Sequence, residues 1–306
     1  MKRPGWLKHR GWLWIIGLAL AFAALHYAAR FPWLVTWNTL ADADWGLLAA
    51  AGAINLLSLA AKAWAWQLLV RPFGPLTFRT AQAATFAGAA INAIGVAMSG
   101  EAGRIHLASS RDGVAAGLAT RSVVASRIVE AAALGIFLLG VVAGVASEHG
   151  WRLLGGGVLL IGGALVLLRW IPWLRPGRGE GAAVGWTTTQ LAGPLALNVG
   201  SWGLQWATYH WSIVATGAKV SPALSVLALV LSNVGGILRL TPGNVGVVQG
   251  AVVLGLRPAG IEASRAVAAG VALQAVQVLP VLLIGVGLLG RHGMRELARR
   301  RVVEPA

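Results

Sequence analysis

Residues 46–70 read GLLAAAGAINLLSLAAKAWAWQLLV, a run of 25 residues in which only Lys62 is charged. A helix needs roughly 20 apolar residues to cross the hydrocarbon core of a bilayer. The run is bounded by Asp44 on one side and Arg71 on the other, so its ends are marked by polar residues. This stretch therefore predicts a transmembrane helix.

The composition of the whole chain agrees with a membrane protein. Its 306 residues are 57% hydrophobic and 11% charged, with a mean hydropathy of +0.71. A soluble domain carries about 25% charged residues, so most of the surface of this chain is expected to face lipid. The chain has no cysteine, which excludes disulfide scaffolds, thiol chemistry and thiolate metal sites.

Further apolar runs extend this prediction to a single transmembrane domain over residues 1–306. The fold class expected is all-α: a polytopic integral membrane helical bundle. The first run follows four basic residues and resembles a signal peptide, but the number of apolar segments behind it favours an uncleaved helix. The other predicted segments are 12–29, 81–98, 128–147, 153–168, 191–218, 220–238, 240–256 and 266–290.

The net charge of +15 indicates orientation in a membrane more than a nucleic-acid partner. The basic residues lie at the ends of the apolar runs, as expected for loops facing an anionic cytoplasmic leaflet, and no basic groove or stacking platform is visible. The basic N-terminus, loops 71–79 and 169–178, and the basic C-terminal tail would face the cytoplasm. Loops around Asp42, Glu148 and Lys219 would lie opposite.

These loops alternate correctly only if segment 81–98 enters the membrane and returns without crossing. About eight crossings then remain, plus re-entrant or broken helices. The prediction is therefore a multi-pass protein of the cell inner (cytoplasmic) membrane with both termini in the cytoplasm.

Two apolar segments are interrupted by glycine and proline. Residues 92–104 read NAIGVAMSGEAGR, and residues 233–249 read NVGGILRLTPGNVGVVQ. Paired breaks of this kind point to the binding site of a transporter, because irregular backbone at membrane depth occurs only where protein or a cavity satisfies it. Packing of helices through small residues is the alternative. The breaks are compatible with an inverted repeat of halves 1–175 and 185–295, joined by the loop 175–189.

Charged residues accompany both breaks. Glu101 and Arg104 are three residues apart, and so are Arg127 and Glu130, so each pair can share a helix face. A charge at membrane depth is a functional candidate, although residues at helix ends also serve as interfacial anchors. Arg239 has no acid close in sequence and suits a phosphate. Lys62, deeper in its segment, is expected only to snorkel to the surface.

The predicted substrate-binding residues surround these breaks, and no catalytic residue, metal site or cofactor is expected. They are Asn92, Glu101, Arg104, Arg127, Glu130, Asn233, Arg239, Pro242, Gly243, Asn244, Gly246 and Gln249.

The same stretches resemble the transmembrane region of the lysylphosphatidylglycerol synthase and flippase family, from about residue 10 to 290. Gly100-Glu101-Ala102-Gly103-Arg104 matches the family pattern Gly-Glu-x-x-Arg, and Arg127 with Glu130 resembles the charged helix that follows. Residues 242–249 resemble Pro-Gly-x-x-Gly-Val-x-Glu, with Gln249 in place of the final Glu. The resemblance implies the lipid-translocating part of the family without its soluble aminoacyl-transferase domain.

The function expected is a lipid flippase or transporter that moves a phospholipid or other lipid-linked headgroup, with anionic membrane lipids as partners. Arg104, Arg127 and Arg239 would hold the phosphate, while Glu101 and Glu130 would orient those arginines or meet a cationic headgroup. One alternative is an intramembrane enzyme, for which Asp42-Ala-Asp44 superficially resembles a metal-binding Asp-x-Asp, but no nucleophile and base occur at usable spacing. The other is a small-solute or ion transporter.

Overall fold

The computed structural model describes residues 30–94, 99–144, 155–164, 186–237 and 241–303. Within these ranges the chain is helical and has no strand. The predicted helix 12–29, Arg239 and most of the loop 175–189 lie outside the described residues. The helices are α1 (Trp33–Ala41), α2 (Trp45–Val70), α3 (Phe78–Ile94), α4 (Ser99–Asp112), α5 (Ala116–Gly144), α6 (Gly155–Ala164), α7 (Thr188–Ala215), α8 (Pro222–Ile237), α9 (Val247–Leu256) and α10 (Ala263–Val303).

Helix α2 forms where the apolar run 46–70 predicts it. Asp44 precedes the helix, and its carboxylate accepts a hydrogen bond of 2.9 Å from the Leu47 amide, which satisfies a free donor of the first turn. Three described helices contain stretches long and apolar enough to cross a membrane: Trp45–Val70, Ala116–Val141 and Ala263–Gly285. The prediction of an all-α membrane bundle is therefore confirmed.

Helices α2 and α7 run antiparallel along each other and connect the two ends of the bundle. At one end the Asp44 amide donates to the Ala215 carbonyl at 2.8 Å. At the other end the Trp186 indole donates to the Leu69 carbonyl at 2.8 Å. The Asp42 loop therefore lies at the same end as the Lys219 loop, as the loop charges predict.

Helices α3 and α4 form a first hairpin, residues 78–112, that returns to the end from which it starts. Asp112, the last residue of α4, accepts hydrogen bonds from the Thr77 amide at 2.7 Å and the Thr80 hydroxyl at 2.8 Å. Since Thr77 immediately precedes α3, both ends of the hairpin lie beside the 71–79 loop. The hairpin contributes no net crossing, in agreement with the re-entrant prediction.

The two arms of the first hairpin cross at a pair of glycines. A Cβ atom on Gly100 would overlap the carbonyl oxygen of Gly88, and one on Gly88 would lie 2.7 Å from the carbonyl oxygen of Gly100. Only glycine at both positions allows the backbones to approach this closely. This crossing fixes how the first turn of α4, which carries Glu101, is placed against α3.

Helices α8 and α9 form a second hairpin, residues 222–256, which starts from the opposite end. Its arms pack antiparallel, since Gly235 faces the Val247 side chain and Gly255 faces Ala228. Its base lies beside the Lys219 loop, which immediately precedes α8. With 10 residues, α9 is only about 15 Å long, well short of a hydrocarbon core of about 30 Å. The predicted segment 240–256 thus belongs to the broken helices, and the number of crossings stays a prediction.

The tips of the two hairpins meet inside the bundle. Gly243 has a positive φ of 60°, and a Cβ on it would lie 2.8 Å from the Ala93 carbonyl oxygen at the end of α3. The two breaks singled out in the sequence are therefore in direct contact, although they are about 150 residues apart. Two hairpins entering from opposite ends have the geometry of an inverted arrangement. The division into halves 1–175 and 185–295 itself stays a prediction.

Several helix boundaries differ from those predicted. Residues 99–112 form the separate helix α4, where the sequence predicts a glycine-rich break, because its polar residues hide the helical period from a search for apolar runs. Residues 33–41 form the short helix α1, which no apolar run predicts. Helix α5 begins at Ala116 and not at residue 128, since Arg121 and Arg127 interrupt the apolar run in its first part.

Candidate functional site

Among the residues that the structure describes, five charged side chains from three helices form one group beside the tip of the first hairpin, here named the charge cluster. Helix α2 contributes Lys62, α4 contributes Glu101 and Arg104, and α5 contributes Arg127 and Glu130. Glu101, Arg104 and Glu130 are 4%, 5% and 9% exposed. Their burial argues against the alternative that they anchor helix ends at the membrane surface.

Arg127 joins the two carboxylates of the charge cluster. One guanidinium nitrogen bonds to Glu130 at 2.9 Å, three residues along the same helix, and another donates to Glu101 of α4. Arg127 and Glu130 therefore share a helix face, as expected, and form an ion pair with each other. Glu101 pairs with Arg127 across helices and not with Arg104 on its own helix.

Arg104 lies in the cluster without a carboxylate within ion-pair distance among the described residues. Its guanidinium carbon lies 4.4 Å from the centre of the Trp66 ring, and Gly88 leaves room for its aliphatic stem. The Nε atom is buried and has no hydrogen-bond partner in the part of the chain that the structure describes. A buried, unpartnered guanidinium N–H is costly, which makes this atom a candidate ligand contact.

Lys62 belongs to the cluster, contrary to the expectation that it snorkels to the surface. Its Nζ lies 3.9 Å from Glu130 and 4.8 Å from the centre of the Trp202 ring. The Trp202 indole in turn donates to the Glu130 carbonyl at 2.9 Å, so α7 holds this end of the cluster. Lys62 is directed inward because its carboxylate partner and an aromatic face are both inside the bundle.

Asn92 connects the charge cluster to the hairpin tip. Its carbonyl oxygen accepts from the Gly100 amide at 2.9 Å, and its amide donates to Glu101 at 3.3 Å. The side chain thus bridges the end of α3 and the start of α4. Ala93, the next residue, contacts Gly243 of the second hairpin.

The charge cluster carries a formal excess of one positive charge among the described residues, from three cations and two carboxylates. The Arg127 side chain is 41% exposed, whereas that of Glu101 is 5% exposed. The cluster is therefore buried on one side and reachable at Arg127. It is suited to receive a single negative charge.

The second break forms a neutral group of hydrogen bonds, here named the amide cluster: Gly243, Gly246, Gln249 and Gln274. Gln249 accepts from the Gly246 amide at 2.7 Å and donates to the side-chain oxygen of Gln274. Gln274 of α10 donates to the Gly243 carbonyl at 2.7 Å. These bonds satisfy backbone groups that the break leaves without helical partners.

The remaining predicted residues have separate positions. Asn233 donates to the Leu229 carbonyl of its own helix at 2.8 Å, so that amide hydrogen bond stays within α8. Asn244 adopts a positive φ of 56° in the turn Pro242–Asn244, beside Gly236. Pro242 opens that turn, and Arg239 lies outside the described residues.

Four residues that belong to the two clusters or contact them were not among the predicted site residues: Lys62, Trp66, Trp202 and Gln274. The sequence offers little signal for them, since a single lysine, tryptophan or glutamine in an apolar run has no local partner. Of the Asp42-Ala-Asp44 pair, Asp44 serves as the cap of α2.

A known family of membrane proteins matches most of the chain. The family model described as the lysylphosphatidylglycerol synthase transmembrane region matches residues 14–285, which include both hairpins and both clusters. No curated protein matches the chain. Membership implies a multi-pass membrane protein with a function related to membrane lipids. The chain belongs to the family of the lysylphosphatidylglycerol synthase transmembrane region.

Proposed function

We propose that the protein is a lipid flippase or transporter in which a lipid headgroup enters the bundle at the charge cluster while the acyl chains stay in the membrane. The observation that carries the proposal is the buried Arg104, whose Nε has no hydrogen-bond partner among the described residues. Its cluster, counted over the same residues, has one excess positive charge. A lipid phosphate supplies the missing charge and acceptor together.

The neighbouring residues have complementary roles in this proposal. Arg127 is the exposed member of the cluster and meets the phosphate first. Glu101 and Glu130 hold Arg127 in place, and Trp66 covers one face of Arg104. A ligand therefore approaches Arg104 in the plane of its guanidinium group, where the Nε hydrogen points.

Movement across the membrane requires the hairpin tips to separate. The charge cluster lies beside the tip of the first hairpin, and the contact between Ala93 and Gly243 closes the space between the tips. Parting them connects the two ends of the bundle at the depth of the cluster. Two hairpins that enter the bundle from opposite ends and meet at their tips have an arrangement suited to alternating access.

The proposal also includes a non-enzymatic role and a location in the cytoplasmic membrane with both termini inside the cell. Arg127 favours lipid over a fully enclosed solute, because a cluster that opens at the protein surface admits a headgroup whose chains remain outside. An intramembrane enzyme would require a reacting group beside the phosphate. Loss of a phosphate or headgroup from lipid incubated with the protein would support that alternative.

The test is lipid movement in proteoliposomes that contain fluorescent phospholipids, measured by chemical quenching of the outer leaflet. Wild-type protein is expected to expose inner-leaflet lipid to the quencher, and Arg104→Ala is expected to slow this by about tenfold or more, as for loss of a charge-assisted contact. Arg104→Lys keeps the charge but not the planar set of donors, and it is expected to move lipid at a rate between those of wild type and Arg104→Ala.

Arg257→Ala is the matched control, because Arg257 is exposed in the turn Arg257–Ala259, outside both clusters. It should move lipid at the wild-type rate. Wild-type protein that moves no lipid, or an Arg104→Ala variant as active as Arg257→Ala, would contradict the proposal.

A further inference from the structure

We propose that the lipid bound here is an anionic phosphodiester lipid with an uncharged, hydroxyl-bearing headgroup, whose phosphate lies at Arg104 and whose hydroxyls lie at the amide cluster. This inference rests on the proposed function and specifies its substrate class. It excludes lipids with cationic headgroups as preferred substrates.

The first step is the charge of the site. Both carboxylates of the charge cluster are already engaged by cations, Glu101 by Arg127 and Glu130 by Arg127 and Lys62. The excess of one positive charge among the described residues is matched by a phosphodiester, which carries one negative charge. A phosphomonoester carries about −1.5 to −2 at pH 7 and would reverse the imbalance.

The second step is what a cationic headgroup would meet. A zwitterionic lipid leaves the excess positive charge uncompensated, and a lipid with a net positive charge adds to it. Like charges repel strongly at low dielectric, and an ammonium group would need a carboxylate that is not committed to an arginine or lysine. Neither carboxylate of the charge cluster meets that need.

The third step is the amide cluster, which is neutral and partly exposed. Gln249 and Gln274 each use one side-chain N–H in the described hydrogen bonds, and each amide nitrogen carries two. One N–H of each therefore stays available to a hydroxyl oxygen. Amides bind hydroxyls as donors and acceptors, but they provide no counter-charge for an ammonium group.

The fourth step is the proximity of the two clusters. Asn92 bonds to Glu101 of the charge cluster, and the adjacent Ala93 contacts Gly243 of the amide cluster. A single headgroup at the hairpin tips can therefore place its phosphate near one cluster and its hydroxyls near the other. This arrangement distinguishes lipids by the part of the headgroup beyond the phosphate.

The experiment compares three lipids with the same fluorescent acyl chain in proteoliposomes: phosphatidylglycerol, phosphatidylethanolamine and lysyl-phosphatidylglycerol. Wild-type protein is expected to move them in that order, with phosphatidylglycerol about tenfold or more faster than the lysyl form. Equal rates for all three would overturn the inference while leaving lipid movement intact.

Gln249→Glu introduces a carboxylate into the amide cluster and still accepts the hydrogen bond from Gly246. It is expected to raise the rate of the two amine-bearing lipids relative to phosphatidylglycerol by about tenfold. Gln190→Glu is the matched control, since Gln190 accepts from Thr187 at the exposed start of α7, where glutamate serves equally well. If Gln249→Glu and the control moved the three lipids at the same relative rates, the inference would be overturned.

A binding measurement separates this inference from the proposed function. If wild-type protein moves no lipid, the proposed function fails. The headgroup preference is then decided by the melting temperature of the protein in detergent with short-chain forms of the same lipids. Greater stabilisation by phosphatidylglycerol than by the lysyl form would support the headgroup site. Equal stabilisation, or none by either lipid, would overturn it.

Discussion

Arg127 holds two buried carboxylates at once and connects the first hairpin to α5. Its removal leaves Glu101 and Glu130 in the interior without that cation, and among the described residues Lys62, 3.9 Å from Glu130, is the remaining cation at ion-pair distance from either carboxylate. Breaking a buried ion pair by removing one partner costs about 3–5 kcal/mol. Since the Arg127 side chain is itself 41% exposed, the lower end of that range is the better guide.

We therefore expect Arg127→Ala to lower the free energy of unfolding by about 3 kcal/mol, seen as a lower melting temperature in detergent. Arg79→Ala, which removes an exposed arginine of α3, is the control and should melt as wild type. Adding Glu101→Gln and Glu130→Gln to Arg127→Ala should recover part of the loss, because neutral amides tolerate burial better than unpaired carboxylates. No recovery in the triple variant would contradict the ion-pair explanation.

The sequence predicts the residues of the charge cluster better than their pairing. Arg127 and Glu130 are three residues apart on one helix, so their contact is local and predictable. Lys62 was expected at the surface, because its partner Glu130 is 68 residues away and only the packing of α2 against α5 brings them together. Gln274 has no sequence signal for the same reason, since its partner Gln249 lies on another helix.

At the scale of helices, the first hairpin depends on the glycine crossing between α3 and α4. A methyl group on Gly100 would overlap the Gly88 carbonyl and the Asn92 side chain, so the arms must separate to admit it. Separation also weakens the hydrogen bond from the Gly100 amide to Asn92, which places Glu101. Overpacking of this kind costs about 1–3 kcal/mol.

Gly100→Ala is accordingly expected to lower the melting temperature and to slow lipid movement. Gly117→Ala is the matched control, since a Cβ on this exposed glycine of α5 meets nothing within 4 Å. Alanine has the higher helix propensity, so this control should melt at the wild-type temperature or slightly above it. Equal melting temperatures and transport rates for the two variants would refute the crossing as a determinant of the site.

A search for apolar runs predicts the helices whose residues are mostly apolar, and it misses helices that carry many polar residues. Helix α2 agrees with its prediction because Asp44 and Arg71 bound an uninterrupted apolar run. Helix α4 was missed as a separate element because its buried face carries the charged residues Glu101 and Arg104, which lie against other helices inside the bundle. The breaks themselves were predictable, but their mutual contact follows from tertiary packing.

At the scale of the whole molecule, the two hairpin bases lie at opposite ends of the bundle. If the loop charges orient the protein as expected, the end of the first hairpin faces the cytoplasm and the Lys219 loop faces the outside. Since the native chain has no cysteine, single cysteines report this directly. In intact cells a membrane-impermeant maleimide should label Lys219→Cys but not Ala115→Cys. After lysis it should label both variants. Labelling of Ala115→Cys in intact cells would reverse the orientation.

The central claim is that lipid headgroups pass between hairpin tips that must part. The most direct measurement is lipid movement in proteoliposomes with Ala93→Cys and Val245→Cys, one on each tip, joined by a short methanethiosulfonate cross-linker. Cross-linking should stop lipid movement, reduction should restore it, and either single-cysteine variant treated in the same way should stay active. Undiminished lipid movement in fully cross-linked protein would contradict the claim.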